Sequence, residues 1–425
     1  MINQPNGDGT QTVTKKKAVV IGGGITGTLA AHRLITEGWS VTLIEGEHIG
    51  AGSSSRTAAG IRQQFSTKET VMGMRYSMER YLNWKKEIGG VHIPVEQKGY
   101  LFLYETKEGF DNATVRAQKQ HEWGLADVEV LSKEQLYVRF PHVDGEGLYG
   151  ATYCPTDGFL HPTTVYSDAV DAVRRLGGEI IVRAPVIEAR HKDGKLTAVG
   201  TPKGWIEGDL FVDCTNAWTK RVAKILGATE LPIEAKKRHL WFIERAGELT
   251  ESEFLEFPMT ISPSGVYCRP ENGSSLMMGW AQAARDESES FDYDDQDIVN
   301  PKYSHKSGID AVPFEAWLSL ADNISMVGEF AGITATTSGF YAVTPDHNPF
   351  IDFDPNIENL IRAVGFSGHG AMFGPFGAAI IAALAESGES LETIDLAFTE
   401  QPSSNVSVTA FKIGRDFGAG EQMVI

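Results

Sequence analysis

Cysteine is scarce in this chain, with three in 425 residues, at Cys154, Cys214 and Cys268. None sits in a C-x-x-C pair, and an odd number leaves one thiol unpaired whatever happens. That excludes a disulfide framework and thiolate zinc chemistry, and it suits free thiols in the cytosol. Positive charge is also short. Lys and Arg total 38 against 56 Asp and Glu, a formal charge of −18. Phosphate binding needs a basic face, so nucleic-acid function is set aside and solubility is the simpler meaning of the charge. Long apolar runs are missing as well. A membrane helix needs about 20 consecutive apolar residues, and the longest candidate, GAAIIAALAESG at 377–388, suits a short core helix. The opening MINQPNGDGTQTVTKKK is polar and lacks the apolar segment of a secretory signal. Residues 1–14 read as a flexible tail, and the chain as a cytoplasmic protein.

What is present points to a nucleotide site. The length exceeds what one compact core usually serves, so two interlocked domains are expected. In KAVVIGGGITGTLAAHRLITEGWSVTLIEG (17–46) an apolar run precedes Gly22, Gly24 and Gly27 in G-x-G-x-x-G order. An apolar-periodic helix and a second strand ending at Glu45 follow. The first glycine permits a tight turn, the second lets pyrophosphate approach the backbone, and the third lets helix and strand pack closely. The helix N-terminus offers N–H groups to the phosphates. Glu45 stands where a carboxylate accepts ribose hydroxyls and repels a 2′-phosphate, which argues against NADP.

A nicotinamide dehydrogenase would continue into another strand–helix unit. Here the chain enters GAGSSSRTAAGIRQQ, whose small residues and hydroxyls suit a loop wrapped closely on a ligand. More than 300 residues later, NLIRAVGFSGHGAMFGPFGAAIIAALAESG (359–388) reads as strand, glycine turn and helix. Gly365, Gly368 and Gly370 let that turn approach a ligand, with the helix dipole behind it. Two glycine turns at opposite chain ends suit a long cofactor, ADP at one and isoalloxazine at the other.

The glycine motif, GSSSRTAAGIRQQF, DGFLHPTTVYSDAVDAVRRLGGEI, VDCTNAWTKRVAKILG, GVYCRPENGSSLMMG, YAVTPDHNPFID and GFSGHG occur in an order that resembles the D-amino-acid oxidase-type FAD oxidoreductases. Within these the chain is most similar to the sarcosine oxidase and glycine oxidase branch, over residues 17–400. The resemblance implies an α/β fold, α+β overall. A discontinuous Rossmann-like FAD-binding domain (15–90, 150–225 and 325–400) would join a second, antiparallel-sheet substrate domain (91–149 and 226–324). A C-terminal extension would occupy 401–425. The acidic stretch RDESESFDYDDQDIVNPKYSH reads as a solvated loop without metal-ligand spacing, and no metal is expected.

The same resemblance implies which residues meet FAD. They are Gly22, Gly24, Ile25, Thr26, Gly27 and Glu45 at the first corner, and Ser53, Ser54, Arg56, Thr57 and Ala58 in the wrapping loop. Val186 would contact adenine through its backbone. Asn216 and Trp218 stand in the turn where the family usually has A-G-A-W, asparagine tolerating the left-handed backbone that glycine would take. Gly339, Gly365, Gly368, His369, Gly370 and Met372 lie at the flavin end. Gly339 occupies the position where monomeric sarcosine oxidase attaches flavin through cysteine, and Thr57 a position where dimethylglycine dehydrogenase-like proteins use histidine. Non-covalent, dissociable FAD is therefore expected.

The implied reaction is hydride transfer from a substrate C–H to flavin N5, giving an imine that water hydrolyses. Arg62 matches the arginine that grips the substrate carboxylate, unless it forms an intradomain salt bridge. Tyr267 and Tyr341 match two pocket tyrosines, although aromatic packing explains either equally well. His369 is expected beside the flavin as a support rather than a base. His239 faces the pocket or away from it according to strand phase. Arg269 is a second anion group or a structural ion pair. Met372, Met277 and Ala281 replace a carboxylate-holding lysine, an oxygen-activating lysine and a pocket histidine. Losing these cations points away from sarcosine itself and toward a bulkier secondary amine or N-substituted amino acid. A primary amino-acid oxidase, and a flavin-bearing assembly factor without catalysis, are the alternatives. The electron acceptor, oxygen or another, stays open. No nucleic-acid or membrane partner is expected.

Overall fold

Lys17–Ile21 shows why a buried parallel strand reads as an unbroken apolar run. Ala18 and Val20 join the core under the helices, while Val19 and Ile21 join a second core with Leu196, Phe211 and Leu360. A strand covered on both faces has no solvent-facing position to leave polar. In the computed structural model this strand lies inside a six-stranded sheet. The structure describes residues 15–244, 256–272, 274–280, 311–330, 332–399, 402–418 and 420–423. The stretch 1–14, the acidic stretch 285–305 and Ala281 lie outside these residues.

The six strands run in the order Phe350–Asp354, Ile357–Val364, Leu210–Asp213, Lys17–Ile21, Ser40–Ile44 and Glu179–Ile181. All neighbours are parallel except the first two, which form an antiparallel pair. Helices Ile25–Thr36, Lys68–Leu82, Pro162–Arg175 and Gly370–Ser387 pack together on one side. On the other, the hairpin Glu188–Lys192/Lys195–Thr201 extends to Gly204–Glu207 as a three-stranded sheet. Its KDGK turn places both Asp193 and Gly194 at positive φ, +50° and +78°, as a tight hairpin demands.

Gly370–Ser387 begins earlier than the apolar run 377–388 suggests, because its first turns carry a proline. Pro375 has no N–H to give Ala371, whose carbonyl instead accepts the Tyr81 hydroxyl at 2.7 Å. By length and composition alone this helix is long and apolar enough to span a membrane. Here it is mostly buried, between Ile25–Thr36 and Lys68–Leu82.

A second, eight-stranded sheet runs Gly332–Val343, Glu234–Glu244, Ser275–Trp280, Val266–Pro270, Met259–Ile261, Tyr100–Tyr104, Gly150–Cys154 and Glu129–Ser132. It departs from the expected antiparallel sheet in one place, where Met259–Ile261 and Tyr100–Tyr104 are parallel. It also recruits Gly150–Cys154 and Gly332–Val343 from spans expected in the nucleotide-binding half. Gly332–Val343 pairs along the whole of Glu234–Glu244, so its backbone is satisfied only in this sheet. Alternation sorts the side chains. Leu240, Tyr267 and Met277 cluster with Tyr100, whereas Trp241, Cys268 and Met278 pack with helix Ala311–Ala321.

The last residues fold back rather than trailing away. Ser404–Ser407 pairs with Thr393–Leu396. Arg415 clamps Asp346 through Nε and Nη2, both at 2.8 Å, and the Glu421 N–H donates to the Asp346 carbonyl at 3.0 Å.

Candidate active site

The first glycine corner is sterically obligatory. Gly22 has φ +109°, and a Cβ on Gly27 would stand 1.9 Å from the Gly22 carbonyl oxygen. A Cβ on Gly24 would stand 2.9 Å from the Ser54 hydroxyl, which accepts the Ile25 N–H at 3.0 Å. The serine loop therefore closes over the N-terminus of helix Ile25–Thr36, beside Thr26. Glu45 accepts the Gly23 and Glu47 N–H groups at 2.7 and 2.8 Å. Burial raises its pKa, and each oxygen keeps a lone pair for a hydroxyl. Val186 is buried nearby, in the core cluster that also holds Ile44.

A turn from the neighbouring strand supports this corner from below. A Cβ on Gly22 would meet the Cys214 carbonyl at 2.8 Å. Asp213 fixes that turn by accepting the Thr215 N–H and the Thr215 and Thr219 hydroxyls. Fully buried Arg362 neutralises Asp213 and Asp354 at 3.0 and 2.9 Å.

Asn216, at φ +48°, tells the two corners where to sit. Its carboxamide oxygen accepts the Gly365 and Phe366 N–H groups at 3.0 and 3.3 Å. The first corner's support is thus bonded directly to the second glycine turn. At that turn a Cβ on Gly368 would lie 2.4 Å from the Tyr341 ring. Gly370 opens the following helix against Phe366. Trp218 covers Gly52 and meets Phe340 edge-on at 6.2 Å. Ser53 donates to the Phe340 carbonyl at 2.6 Å, and Arg56 to the carbonyls of Ala51 and Gly52.

Between the second turn and the eight-stranded sheet lies a cleft. Thr57, Ala58, Arg62, Tyr267, Tyr341, Gly368, His369 and Met372 all line it. Arg62 is fully buried. Nη1 donates to the Gln64 carbonyl and Nη2 to the Met423 carbonyl. The guanidinium lies 3.9 Å from the Phe65 ring centroid. Its Nε has no partner, and no carboxylate pairs with it among the described residues. Burial lowers its pKa, with the Tyr100, Glu421 and Asp157 charges opposing. The His369 Nε2 is also buried and unpartnered. Burial, then Arg62 and His347, hold that ring well below the usual histidine range, so it is neutral. Burial also keeps Tyr267 and Tyr341 protonated, with their hydroxyls interacting.

The family model for FAD dependent oxidoreductases, DAO, matches residues 17–384. The chain belongs to this family. It is similar to FAD-dependent oxidoreductase domain-containing protein 1 of Xenopus laevis, 26% identical over 84% of this chain and 76% of that one. It is 24% identical to glycine oxidase of Bacillus subtilis, over 87% and 92% of the two chains. Human mitochondrial sarcosine dehydrogenase is also 24% identical, over 84% of this chain, which spans only 38% of that protein. Among solved structures, L-proline dehydrogenase from P. horikoshii superposes with a TM-score of 0.75 at 27% identity, covering 88% and 94%.

This DAO chain is an FAD-dependent oxidoreductase, and its residues fit that cofactor. Glycines leave room at both corners, a ribose-height carboxylate follows the first, and unpartnered Arg62 Nε and His369 Nε2 mark the cleft end. Gly339 sits with its missing Cβ 2.8 Å from the Arg56 carbonyl, so even a cysteine there would displace backbone. The three described cysteines are free and buried.

Other candidates stand elsewhere. Arg269 pairs with Glu271 at 2.8 Å and donates to the Ala58 carbonyl at 3.0 Å. His239 stacks with Trp241 at 6.3 Å, on the face turned from Tyr267. Met277 is buried beside Tyr267 without lining the cleft. Sequence reasoning missed Tyr100, which lines the cleft, and Arg238, 5.7 Å from the Tyr341 ring centroid. It also missed Asp157, which accepts the Gln63 N–H at 2.7 Å and both glutamine side chains beneath Arg62.

Proposed function

We propose that the chain oxidises the C–N bond of a secondary amine or N-substituted amino acid, with the substrate carboxylate on Arg62. Bound FAD, held non-covalently along the two glycine corners, supplies the two-electron acceptor for the substrate's C–H hydride. The observation carrying the proposal is a fully buried guanidinium lining the cleft, whose Nε has no partner and which no carboxylate among the described residues pairs with directly. A buried cation that no carboxylate bonds directly is costly even with Glu421 and Asp157 nearby, and an arriving carboxylate relieves that cost with charge-assisted bonds.

The remaining walls define the rest of the task. Tyr267, Tyr341 and Met372 line the cleft and offer no second cation. That suits an apolar substituent on nitrogen better than a small zwitterion. His369 stays neutral and receives no proton, so the amine enters as its neutral form or loses its proton to solvent. The L-proline dehydrogenase relative, whose named substrate is a cyclic secondary amine, supports this choice. The glycine oxidase relatives support the alternative, a primary amino acid. A cytoplasmic location belongs to the same proposal, and cell fractionation checks it.

Anaerobic titration tests the reaction. A library of N-alkyl, cyclic and primary amino acids is added to the yellow holoenzyme and the visible absorbance followed. Bleaching by a secondary amine, with release of an alkylamine or ring-opened aldehyde, is expected. Ammonia release from primary amino acids alone would overturn the preference. Arg62→Met should raise the KM of the bleaching substrate about 100-fold, a loss of about 3 kcal/mol for one charge-assisted pair. An unchanged KM would remove Arg62 from the substrate site.

A further inference from the structure

The chain beyond the family match reaches the arginine that the proposed function relies on. Residues 420–423 are held on both sides. The Glu421 N–H bonds the Asp346 carbonyl at 3.0 Å, next to the Gly420 turn at φ +61°. The Glu421 side chain is 3% exposed and accepts the Ser66 N–H at 2.9 Å and the Ser66 hydroxyl at 2.7 Å. The same carboxylate accepts the Met423 N–H at 2.9 Å, and the Gln422 N–H donates to Ser66 Oγ at 2.9 Å. Met423 is thereby pinned in the cluster of Tyr100, Tyr267 and Met277, and its carbonyl accepts Arg62 Nη2.

We propose that the Met423 main-chain carbonyl is a positioning group that aims Arg62 at the substrate carboxylate. Arginine has five N–H donors in one rigid plane. Tethers at Nη1 by Gln64 and at Nη2 by Met423 fix that plane over Phe65 and leave Nε unpartnered in a residue that lines the cleft. Two neutral acceptors do this without cancelling the charge. A carboxylate in the place of Met423 would orient the guanidinium equally well but compete with the substrate. Glu421 supplies the negative end two residues away, where it anchors the segment and leaves Arg62 free for an incoming anion. Removing the carbonyl lets the guanidinium turn toward another partner, and each binding event then bears the cost of reorienting it.

The inference rests on the proposed role of Arg62, and the test separates the two. Benzoate and its neutral isostere benzamide are titrated into the FAD-bound holoenzyme, with Kd read from the flavin spectrum. In a chain ending at Gln422 with its terminal carboxyl amidated, so that no new carboxylate competes, benzoate should weaken at least tenfold while benzamide changes less than twofold. Met423→Ala keeps the carbonyl and should lose less of the benzoate-to-benzamide ratio than the shortened chain does, although its side chain packs with Tyr100 and Tyr267. Glu421→Ala, which frees the segment without deleting it, should reproduce the loss should the shortened chain fail to fold. Benzoate binding unchanged or tighter after shortening would overturn the proposal, as would equal weakening of both ligands. Benzoate binding that persists in Arg62→Met would instead overturn the anion site itself.

Discussion

Gly27 shares with Gly158 the tightest steric demand of the described glycines. A methyl group placed there would stand 1.9 Å from the Gly22 carbonyl oxygen, inside any contact distance, and neither backbone can yield alone. Gly27→Ala should cost about 3 kcal/mol or more of stability by overpacking, and protein recovered should carry well under half the flavin of the parent. The 450 nm to 280 nm absorbance ratio measures this; a full flavin complement would show that helix Ile25–Thr36 can back away from its strand. Requirements of this kind are local, which is why Gly22, Gly24 and Gly27 were legible in the sequence. Met423 was not. Its part depends on a carbonyl and on Ser66, 357 positions away by number, and no side-chain pattern advertises a backbone acceptor.

At the scale of elements, Asn216 joins what the two glycine turns leave separate. The sequence showed that asparagine tolerates the turn's left-handed backbone, but not why a polar side chain belongs there. The answer is two N–H groups of the second turn, at 3.0 and 3.3 Å. Asn216→Gly retains the backbone freedom and loses the bonds, whereas Asn216→Ala loses both. Glycine should therefore cost about 1–2 kcal/mol for unsatisfied amides, and alanine about 1 kcal/mol more for the left-handed conformation. Chemical denaturation of the holoenzyme measures the difference; equal losses would mean that the turn relaxes to negative φ. Strand phase set the other limit of legibility. KKRH alternates across Glu234–Glu244, so one unknown decided whether Arg238 or His239 faced Tyr341. Register with Gly332–Val343 settles it, since Arg238 pairs with Gly339 and lies near the Tyr341 ring.

Across the whole molecule, neutral histidines are built into both halves. His32 lies on the helix Ile25–Thr36, and His142 stacks on Phe257 at 3.9 Å beside the eight-stranded sheet. Burial, aided for His32 by Arg175 and Arg33, lowers both from 6.5 to about 4. The unfolded chain takes up these protons near pH 6.5 and the folded chain only near pH 4. Stability from keeping them neutral is thus complete above about pH 6.5 and is lost as pH falls toward 4. Asp157 acts in the opposite sense. Burial raises it to about 6, so its ionisation penalises the folded state above that pH and the penalty lifts on acidification. Such opposed terms, together with the relaxing charge of −18, make a single melting curve against pH a poor witness. A difference isolates one group. His142→Phe keeps a ring against Phe257 and removes a buried nitrogen that has no partner. Its Tm should run parallel to that of the parent from pH 8 to 6.5, then gain on it steadily as pH drops to 4.5. Parallel curves across the whole range would mean that His142 binds its proton equally well folded and unfolded, and that burial there is not what the packing against Phe257 implies.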